Sequence, residues 1–203
     1  MMARVKVCGV TSVHDARMCA DAGVDAIGLN FVPSSPRRVT TDLARAIADA
    51  VRGRVLVVGV VADLAEPELR ALSAEVGLEC LQLHGDEPPE ALLPLLPHAY
   101  KAIRVAEPAD VARAASYPGD YVLCDAKAPG GALGGTGHSF DWSLVAELAR
   151  ARKLTLAGGL TPDNVARAVA VVRPFCVDVA SGVESAPGVK DPAKVRAFVA
   201  AAR

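Results

Sequence analysis

Short apolar runs and amphipathic stretches alternate from one end of this chain to the other. Val5–Cys8, Asp25–Phe31, Val55–Val61, Glu79–Leu83, Tyr100–Val105, Tyr121–Cys124, Leu154–Ala157 and Cys176–Val179 are brief and rich in apolar and β-branched residues. Such runs predict strands buried on both faces. Between them lie segments with the helical period: Ser12–Ala22, Thr40–Val51, Glu66–Val76, Pro89–Leu96, Ala109–Ala115, Trp142–Ala151, Pro162–Val171 and Ala193–Ala202. Thr40 and Asp191 are suited to cap helix N-termini, and Pro162 and Pro192 to the first helical position. Strands alternating with helices imply a parallel sheet. Eight such pairs favour a closed α/β barrel, a (β/α)8 TIM barrel, over an open doubly wound sheet. With 203 residues the barrel is compact beside the usual length of about 250. Residues 1–203 are therefore read as a single domain, with no linker and no internal repeat beyond the alternation itself.

Composition supports this reading. The chain is 52% hydrophobic but only 4% aromatic, so its core must be built from Ala, Val and Leu. Basic and acidic residues number 22 and 23, well mixed, for a net charge of −1. No basic face points to nucleic acid or to an anionic membrane. No apolar run approaches the roughly 18 residues of a membrane span, and the N-terminus lacks the pattern of a secretory signal. The five cysteines are odd in number, scattered, and free of C-x-x-C pairs, which argues against a disulfide framework or a zinc site. The dispersed histidines likewise suggest no metal. A cytoplasmic protein without a cofactor is expected, and it could be a monomer or a homodimer.

In a barrel of this kind the loops after the strands form the active face. Those loops carry Cys8 and Gly9; Pro33, Arg37 and Arg38; His84, Gly85 and Asp86; Asp125 and a glycine-rich stretch to Gly137; Gly158, Gly159 and Leu160; and Ser181 and Gly182. A buried thiol is often only a small core residue, so Cys8 by position alone favours the structural reading. Gly158-Gly159 and Ser181-Gly182 follow the last two strands, where backbone N–H groups can cradle a phosphate. Simple tight turns are the alternative. Asp125 ends a strand, where a carboxylate in the mouth must be solvated, paired or used; a loop-capping role competes evenly. Asp178 could meet substrate or a neighbouring strand end. Arg37 or Arg38 could clamp a carboxylate in bidentate fashion, and at least one of them reads as solvated. His84 could be a ligand, a base or a loop anchor; alone it reads as structural, and with Asp178 it is a further candidate for the substrate pocket, while His14 and His98 read as peripheral.

Taken together, these blocks resemble the phosphoribosylanthranilate isomerase family of tryptophan biosynthesis. The resemblance runs through Lys6-Val7-Cys8-Gly9-Val10-Thr11, Gln82-Leu83-His84-Gly85-Asp86-Glu87, Leu123-Cys124-Asp125 and Gly134-Gly135-Thr136-Gly137. It continues through Phe140-Asp141-Trp142, Ala157-Gly158-Gly159-Leu160-Thr161-Pro162-Asp163-Asn164-Val165 and Val177-Asp178-Val179-Ala180-Ser181-Gly182-Val183-Glu184. The blocks keep family order and span nearly the whole chain. The resemblance implies a ribulose-phosphate-binding barrel whose small-molecule substrate is the phosphosugar N-(5-phosphoribosyl)anthranilate. It implies Cys8 as general base, Asp125 as general acid and Arg37 as the partner of the anthranilate carboxylate. It also implies that the backbone at Gly159 and from Ala180 to Gly182 holds the phosphate.

The implied reaction is an Amadori rearrangement of an aminoaldose to an aminoketose. It needs one acid and one base, and no metal or external redox partner. The acid must hold a proton at working pH, so Asp125 should be raised by an apolar mouth. The base must be a thiolate, although an ordinary thiol near pKa 8.5 is only a few per cent ionised at neutral pH. Helix or backbone dipoles, or the donors of the phosphate loops, are expected to assist it. A histidine-pathway isomerase family performs the same rearrangement with an aspartate at the end of its first strand, where this chain has Cys8. Several positions depart from the usual pattern. Ala157 and Ala180 stand where serine is common, His138 where lysine is common, and Ala128–Leu133 is slightly long. These departures are read as tuning of the site.

Overall fold

A computed structural model describes residues 2–126 and 140–203. Eight parallel strands form the centre: β1 (Arg4–Cys8), β2 (Ala26–Asn30), β3 (Leu56–Val61), β4 (Cys80–Leu83), β5 (Ala99–Val105), β6 (Tyr121–Ala126), β7 (Lys153–Leu156) and β8 (Cys176–Val179). They hydrogen-bond in chain order, and β8 pairs with β1 to close the barrel. Around them lie α1 (Val13–Asp21), α2 (Thr41–Val51), α3 (Glu66–Val76), α4 (Pro89–Leu92), α5 (Pro108–Ser116), α6 (Ala146–Ala151), α7 (Val165–Val172) and α8 (Pro192–Ala202). No helix among the described residues is long and apolar enough to cross a membrane.

Strand periodicity divides the core in two. Outward strand residues such as Val5, Val7, Ile27, Val57, Leu83, Ile103, Leu154 and Val177 pack against the helices in one large cluster. Ala26, Val58, Tyr100, Ala102, Leu123 and Ala157 form a separate, smaller cluster inside the barrel. Alanines hold three of its six places, leaving room for the long side chains of Lys6 and Gln82, both buried.

The eight predicted strands and helices are all present, with local differences that have physical causes. Thr40 and Asp191 cap α2 and α8 as expected, their side chains accepting from Leu43 N–H and from the N–H groups of Ala193 and Lys194. Pro162 does not open α7. The chain first makes a turn in which Thr161 N–H donates to Asn164 Oδ1 at 2.8 Å, and the helix starts at Val165. The segment Pro89–Leu96 shortens to α4 and a 3-10 turn over Leu93–Leu95, because Pro94 has no N–H to continue an α-helix. Trp142–Val145 is likewise a 3-10 turn leading into α6. Strand β6 runs to Ala126, so Asp125 lies in the ladder, aligned with Arg104 of β5. A small antiparallel pair, β9 (Glu184–Ala186) and β10 (Val189–Lys190), follows β8 and carries no apolar alternation that would reveal it. The glycines from Gly134 to Gly137, His138 and the Ala128–Leu133 stretch lie outside the described residues.

A buried ion pair fixes the loop that leaves β4. Lys101 Nζ donates to Glu87 Oε2 at 2.7 Å and to the carbonyls of Gly85 and Leu83 at 2.6 and 3.3 Å. Glu87 Oε1 accepts from Asp63 N–H at 2.8 Å, and Tyr117 Oη donates to the Glu87 carbonyl at 2.7 Å. One residue, through its carboxylate and its carbonyl, thus ties together the chain after β3, β4 and α5. Removing one partner of such a pair leaves an uncompensated buried charge. Lys101→Met is expected to lose about 3–5 kcal/mol in urea denaturation. Lys101→Met combined with Glu87→Gln should lose less, since no charge is then stranded.

Candidate active site

The inward positions turn polar toward the C-terminal ends of the strands. Cys8 is the last residue of β1 and Lys6 lies two residues earlier on the same face. Closure aligns Lys6 with Asp178 of β8, and Lys6 Nζ donates to Asp178 Oδ2 at 2.8 Å with both side chains buried. Asp178 Oδ1 is buried and finds no hydrogen-bond partner among the described residues. Asp178 is thus the partner of a strand neighbour, with its second oxygen left over. Burial works against the Lys6 charge, but Asp178, Cys8 and Tyr100 outweigh it and hold the ammonium well above the ordinary lysine range. Burial also pushes the Cys8 thiol up. The Lys6 charge pulls it back, Asp178 adds to the rise, and Lys190 opposes it. The sequence left the thiol without an assigned cation; the folded chain supplies Lys6.

Asp125 faces inward on β6, three strands away from β1 around the barrel. Its Oδ1 accepts from Ala126 N–H at 2.8 Å, and its Oδ2 lies 3.6 Å from His84 Nε2. Burial, and then the nearby Asp178 charge, push its carboxyl up to about 7 against the pull of the Ala126 N–H, Lys6 and Arg104. That is the raised acid expected from the sequence. It is also less of a loop cap than the alternative reading allowed, since the carboxylate serves its own strand end.

His84 is part of a chain of polar groups across the barrel. Tyr100 Oη donates to Gln82 Oε1 at 3.0 Å, and this orients the Gln82 amide. Gln82 Nε2 then donates to His84 Nδ1 at 2.9 Å. Nδ1 is therefore the acceptor, and the proton of the neutral ring sits on Nε2, facing Asp125. Burial and the charges of Lys101, Lys6 and Arg104 lower the imidazole to about 3, so it is neutral at physiological pH. The sequence offers His84 as a pocket candidate beside a structural reading, and the fold places the ring inside the barrel next to Asp125. Period two within Gln82-Leu83-His84 was the available signal, since it sends both polar side chains inward.

The two arginines separate. Arg38 is exposed, whereas Arg37 is half-buried and turned toward the mouth. Its Nε and Nη2 meet Glu184 Oε1 and Oε2 at 2.8 and 2.7 Å, a bidentate pair. Lys190 Nζ also donates to Glu184 Oε1 at 2.8 Å, and to the carbonyls of Cys8 and Ala180 at 2.7 and 3.2 Å. Donating hydrogen bonds to Glu184 lifts Arg37, while Glu184, though burial raises it, is brought down by Arg37 and Lys190. Glu184 was quoted in a sequence block without a role; nothing in the residue order shows that it orients Arg37.

Gly158 and Gly159 both have positive φ, 92° and 64°. Asn164 Nδ2 donates to the Gly159 carbonyl at 2.9 Å and steadies this loop. The loop after β8 continues from Ala180 into a 3-10 turn over Ser181–Val183. The two loops pack so closely that a Cβ on Gly182 would lie 2.0 Å from the Leu160 carbonyl oxygen. Gly158, Gly159, Ala180, Ser181 and Gly182 are all half-buried, at the rim rather than inside the core. His14 and His98 are exposed, away from the mouth. Among the described residues no cluster of three or more His, Cys, Asp or Glu side chains could hold a metal ion.

Residues 5–201 match the sequence profile of the family described as N-(5'phosphoribosyl)anthranilate (PRA) isomerase. The N-(5'-phosphoribosyl)anthranilate isomerase of Myxococcus xanthus is 50% identical over 208 aligned positions, covering 100% of this chain and 97% of that protein. The solved phosphoribosyl anthranilate isomerase of Thermotoga maritima superposes with a TM-score of 0.90 at 38% identity, covering 99% and 98% of the two chains. A solved phosphoribosyl anthranilate isomerase in complex with reduced 1-(o-carboxyphenylamino)-1-deoxyribulose 5-phosphate has a TM-score of 0.87 at 36% identity, covering 99% and 98%.

The raised carboxyl of Asp125 has a consequence for stability. Its folded pKa of about 7 lies above the ordinary aspartate value near 3.9. The folded state therefore holds the proton more tightly, and the stability from that proton is complete below about pH 4 and lost as pH rises through about 7. Asp125→Asn escapes this loss. Thermal unfolding is expected to show the variant gaining on the unmodified protein between pH 4.5 and 8, by on the order of a few kcal/mol. An offset that stays constant over that range would contradict the buried, raised carboxyl.

Proposed function

This chain belongs to the N-(5'-phosphoribosyl)anthranilate isomerase family, and on that footing we propose how its barrel mouth divides the work. The enzyme isomerises N-(5'-phosphoribosyl)anthranilate to 1-(2-carboxyphenylamino)-1-deoxyribulose 5-phosphate in tryptophan biosynthesis. Asp125 is the general acid, Cys8 the general base, and Arg37 the partner of the anthranilate carboxylate. The loops Gly158-Gly159 and Ala180-Ser181-Gly182 hold the phosphate through backbone N–H groups. Residues 1–203 act as one domain, in the cytoplasm, where free cysteines stay reduced.

The observation that carries this reading is the pairing of an inward carboxyl raised to about 7 with an inward thiol at the same end of one barrel. Asp125 in its protonated form protonates the furanose ring oxygen, and the ring opens to an iminium. The Cys8 thiolate then takes the proton from the second sugar carbon. The resulting enolamine tautomerises to the ketone. After Asp125 has given up its proton, the neutral His84 presents Nε2–H to the new carboxylate and favours the charge that forms there. Arg37 is pre-set by Glu184, so one arm of the guanidinium is fixed before substrate arrives, and its remaining N–H groups serve a second carboxylate.

The protonation states set an unusual pH dependence. The acid titrates near 7 and the base higher, so the productive form, protonated Asp125 with thiolate Cys8, is the minor tautomer of the singly deprotonated enzyme. Its population rises with pH through about 7 and falls again only as Cys8 itself titrates. The ratio kcat/KM is expected to follow that bell; a steady decline from pH 6 to 8 would reverse the order of the two groups. Cys8→Ser and Asp125→Asn should each reduce kcat by about 10²–10⁴-fold in steady-state assays, with smaller changes in KM. Full turnover by folded Cys8→Ser protein would remove the thiol from the base role.

Arg37→Ala is expected to raise KM by about tenfold or more while leaving kcat less affected, consistent with loss of a charge-assisted bidentate contact. Arg38→Ala serves as the comparison, with kinetics close to those of the unmodified enzyme because the side chain is exposed.

A further inference from the structure

A desolvated thiol is a poor base unless something in the fold favours its anion. Lys6 is positioned to do so. It precedes Cys8 by two residues on one strand, so the two side chains leave β1 on the same face. Both extend over Gly28 of β2, the residue aligned with Cys8. A Cβ at Gly28 would lie 2.8 Å from Cys8 Sγ and 3.2 Å from Lys6 Nζ. The glycine therefore leaves open the space in which sulfur and ammonium converge, and the Lys6 charge is the strongest of the influences that pull the thiol down against burial. On its other side, Lys6 Nζ is anchored by Asp178 Oδ2 at 2.8 Å.

The groups around the thiol come from several elements. Asp178 reaches it from β8, Lys190 from β10, and Arg37 from the loop after β2. Lys190 is committed to Glu184 and to the Cys8 and Ala180 carbonyls, and Arg37 to the same Glu184. Lys6 in turn faces Tyr100, Cys80 and Cys176, and its charge is felt at Asp125 and His84. Lys6 lies between one permanent carboxylate and one thiol that must become an anion.

We propose that Lys6, anchored by Asp178, is a positioning residue of the reaction that holds the Cys8 sulfur as a thiolate aimed into the mouth. The arrangement is a Cys–Lys–Asp relay in geometry, but no proton passes along it. The ammonium keeps its three protons throughout. The thiolate gains the proton from the second sugar carbon, becomes a neutral thiol, and the Lys6 charge is then balanced by Asp178 alone. The same ammonium lowers Asp125, so it narrows the gap between acid and base from the thiol side and widens it from the carboxyl side. At Cys8 the ammonium is the foremost influence against burial, whereas at Asp125 it stands behind Asp178 and the Ala126 N–H. The inference rests on Cys8 being the base.

The test is the pH dependence of Cys8 alkylation by iodoacetamide, with Cys8→Ser protein giving the background from the other four cysteines. Lys6→Met is expected to raise the alkylation midpoint by about one pH unit or more, since a nearby opposite charge shifts a titration by about one to three units. Turnover at pH 7 should fall by about tenfold for each unit. Asp178→Asn removes a nearby negative charge but leaves the ammonium, and is expected to lower the midpoint. A purely structural ion pair would move both variants the same way. If Lys6→Met does not fold, Lys6→Met combined with Asp178→Asn strands no charge and is expected to show the raised midpoint. An unchanged midpoint on loss of Lys6, or a rise in Asp178→Asn, overturns the proposal. Failure of the base assignment would show separately, as turnover by Cys8→Ser, whatever the alkylation midpoints.

Discussion

Closing eight strands into a barrel forces every second residue into a space that water cannot fill, and the rest of this molecule follows from how that space is used. Part of it is filled by small and apolar side chains, with Ala26, Ala102 and Ala157 beside Val58 and Leu123. The polar residues among them must find their partners in the protein. Lys6 meets Asp178 across the β1–β8 seam, and Tyr100, Gln82 and His84 satisfy one another in a row. Among the described residues, Asp178 Oδ1 and His84 Nε2 inside the barrel, and Trp142 Nε1 outside it, are buried without a hydrogen-bond partner. A buried polar atom left over in this way calls for a specific explanation, and for the two inside the barrel a bound molecule would supply one.

The same confinement produces the chemistry. A carboxyl removed from water keeps its proton, and Asp125 is carried to about 7 chiefly by burial. A thiol removed from water also keeps its proton, which serves a base badly. Burial alone therefore prepares the proposed acid and impairs the proposed base. Only an asymmetric distribution of charge can help one without spoiling the other, and Lys6 provides it: its charge leads the pull on the thiol but comes behind Asp178 at Asp125. Asp178 holds the ammonium in place and pushes the Asp125 carboxyl up. One ion pair thus acts in opposite senses on the two reacting groups.

Much of this was legible in the residue order. Apolar runs and helical periods located all eight strand–helix pairs, and the thiol, carboxyl and glycine loops fell at strand ends. Period two also placed Lys6 beside Cys8 and Gln82 beside His84, a signal present in the sequence but left unread. Other features depend on long-range register that local patterns do not contain. Lys6 meets Asp178, 172 residues away, only because the barrel closes with these two residues aligned. Glu184 meets Arg37 across 147 residues through two loops. The late start of α7 at Val165 reflects an Asn164 side chain that competes for backbone groups, and Pro162 by itself could not reveal that.

Arg37 shows how recognition and reactivity are joined. A lone guanidinium on a loop would sample many rotamers, and ordering it on substrate binding would cost about as much as one contact returns. Glu184 removes that cost in advance by holding two N–H groups. The same carboxylate holds Lys190, whose ammonium binds the carbonyl of Cys8. The arginine proposed to grip the aromatic carboxylate and the backbone of the proposed base are therefore fixed to one buried anchor. A shift at Glu184 would displace the Arg37 guanidinium and the Cys8 backbone together. This is why a residue that need not touch substrate can set the geometry in which thiolate and sugar carbon meet.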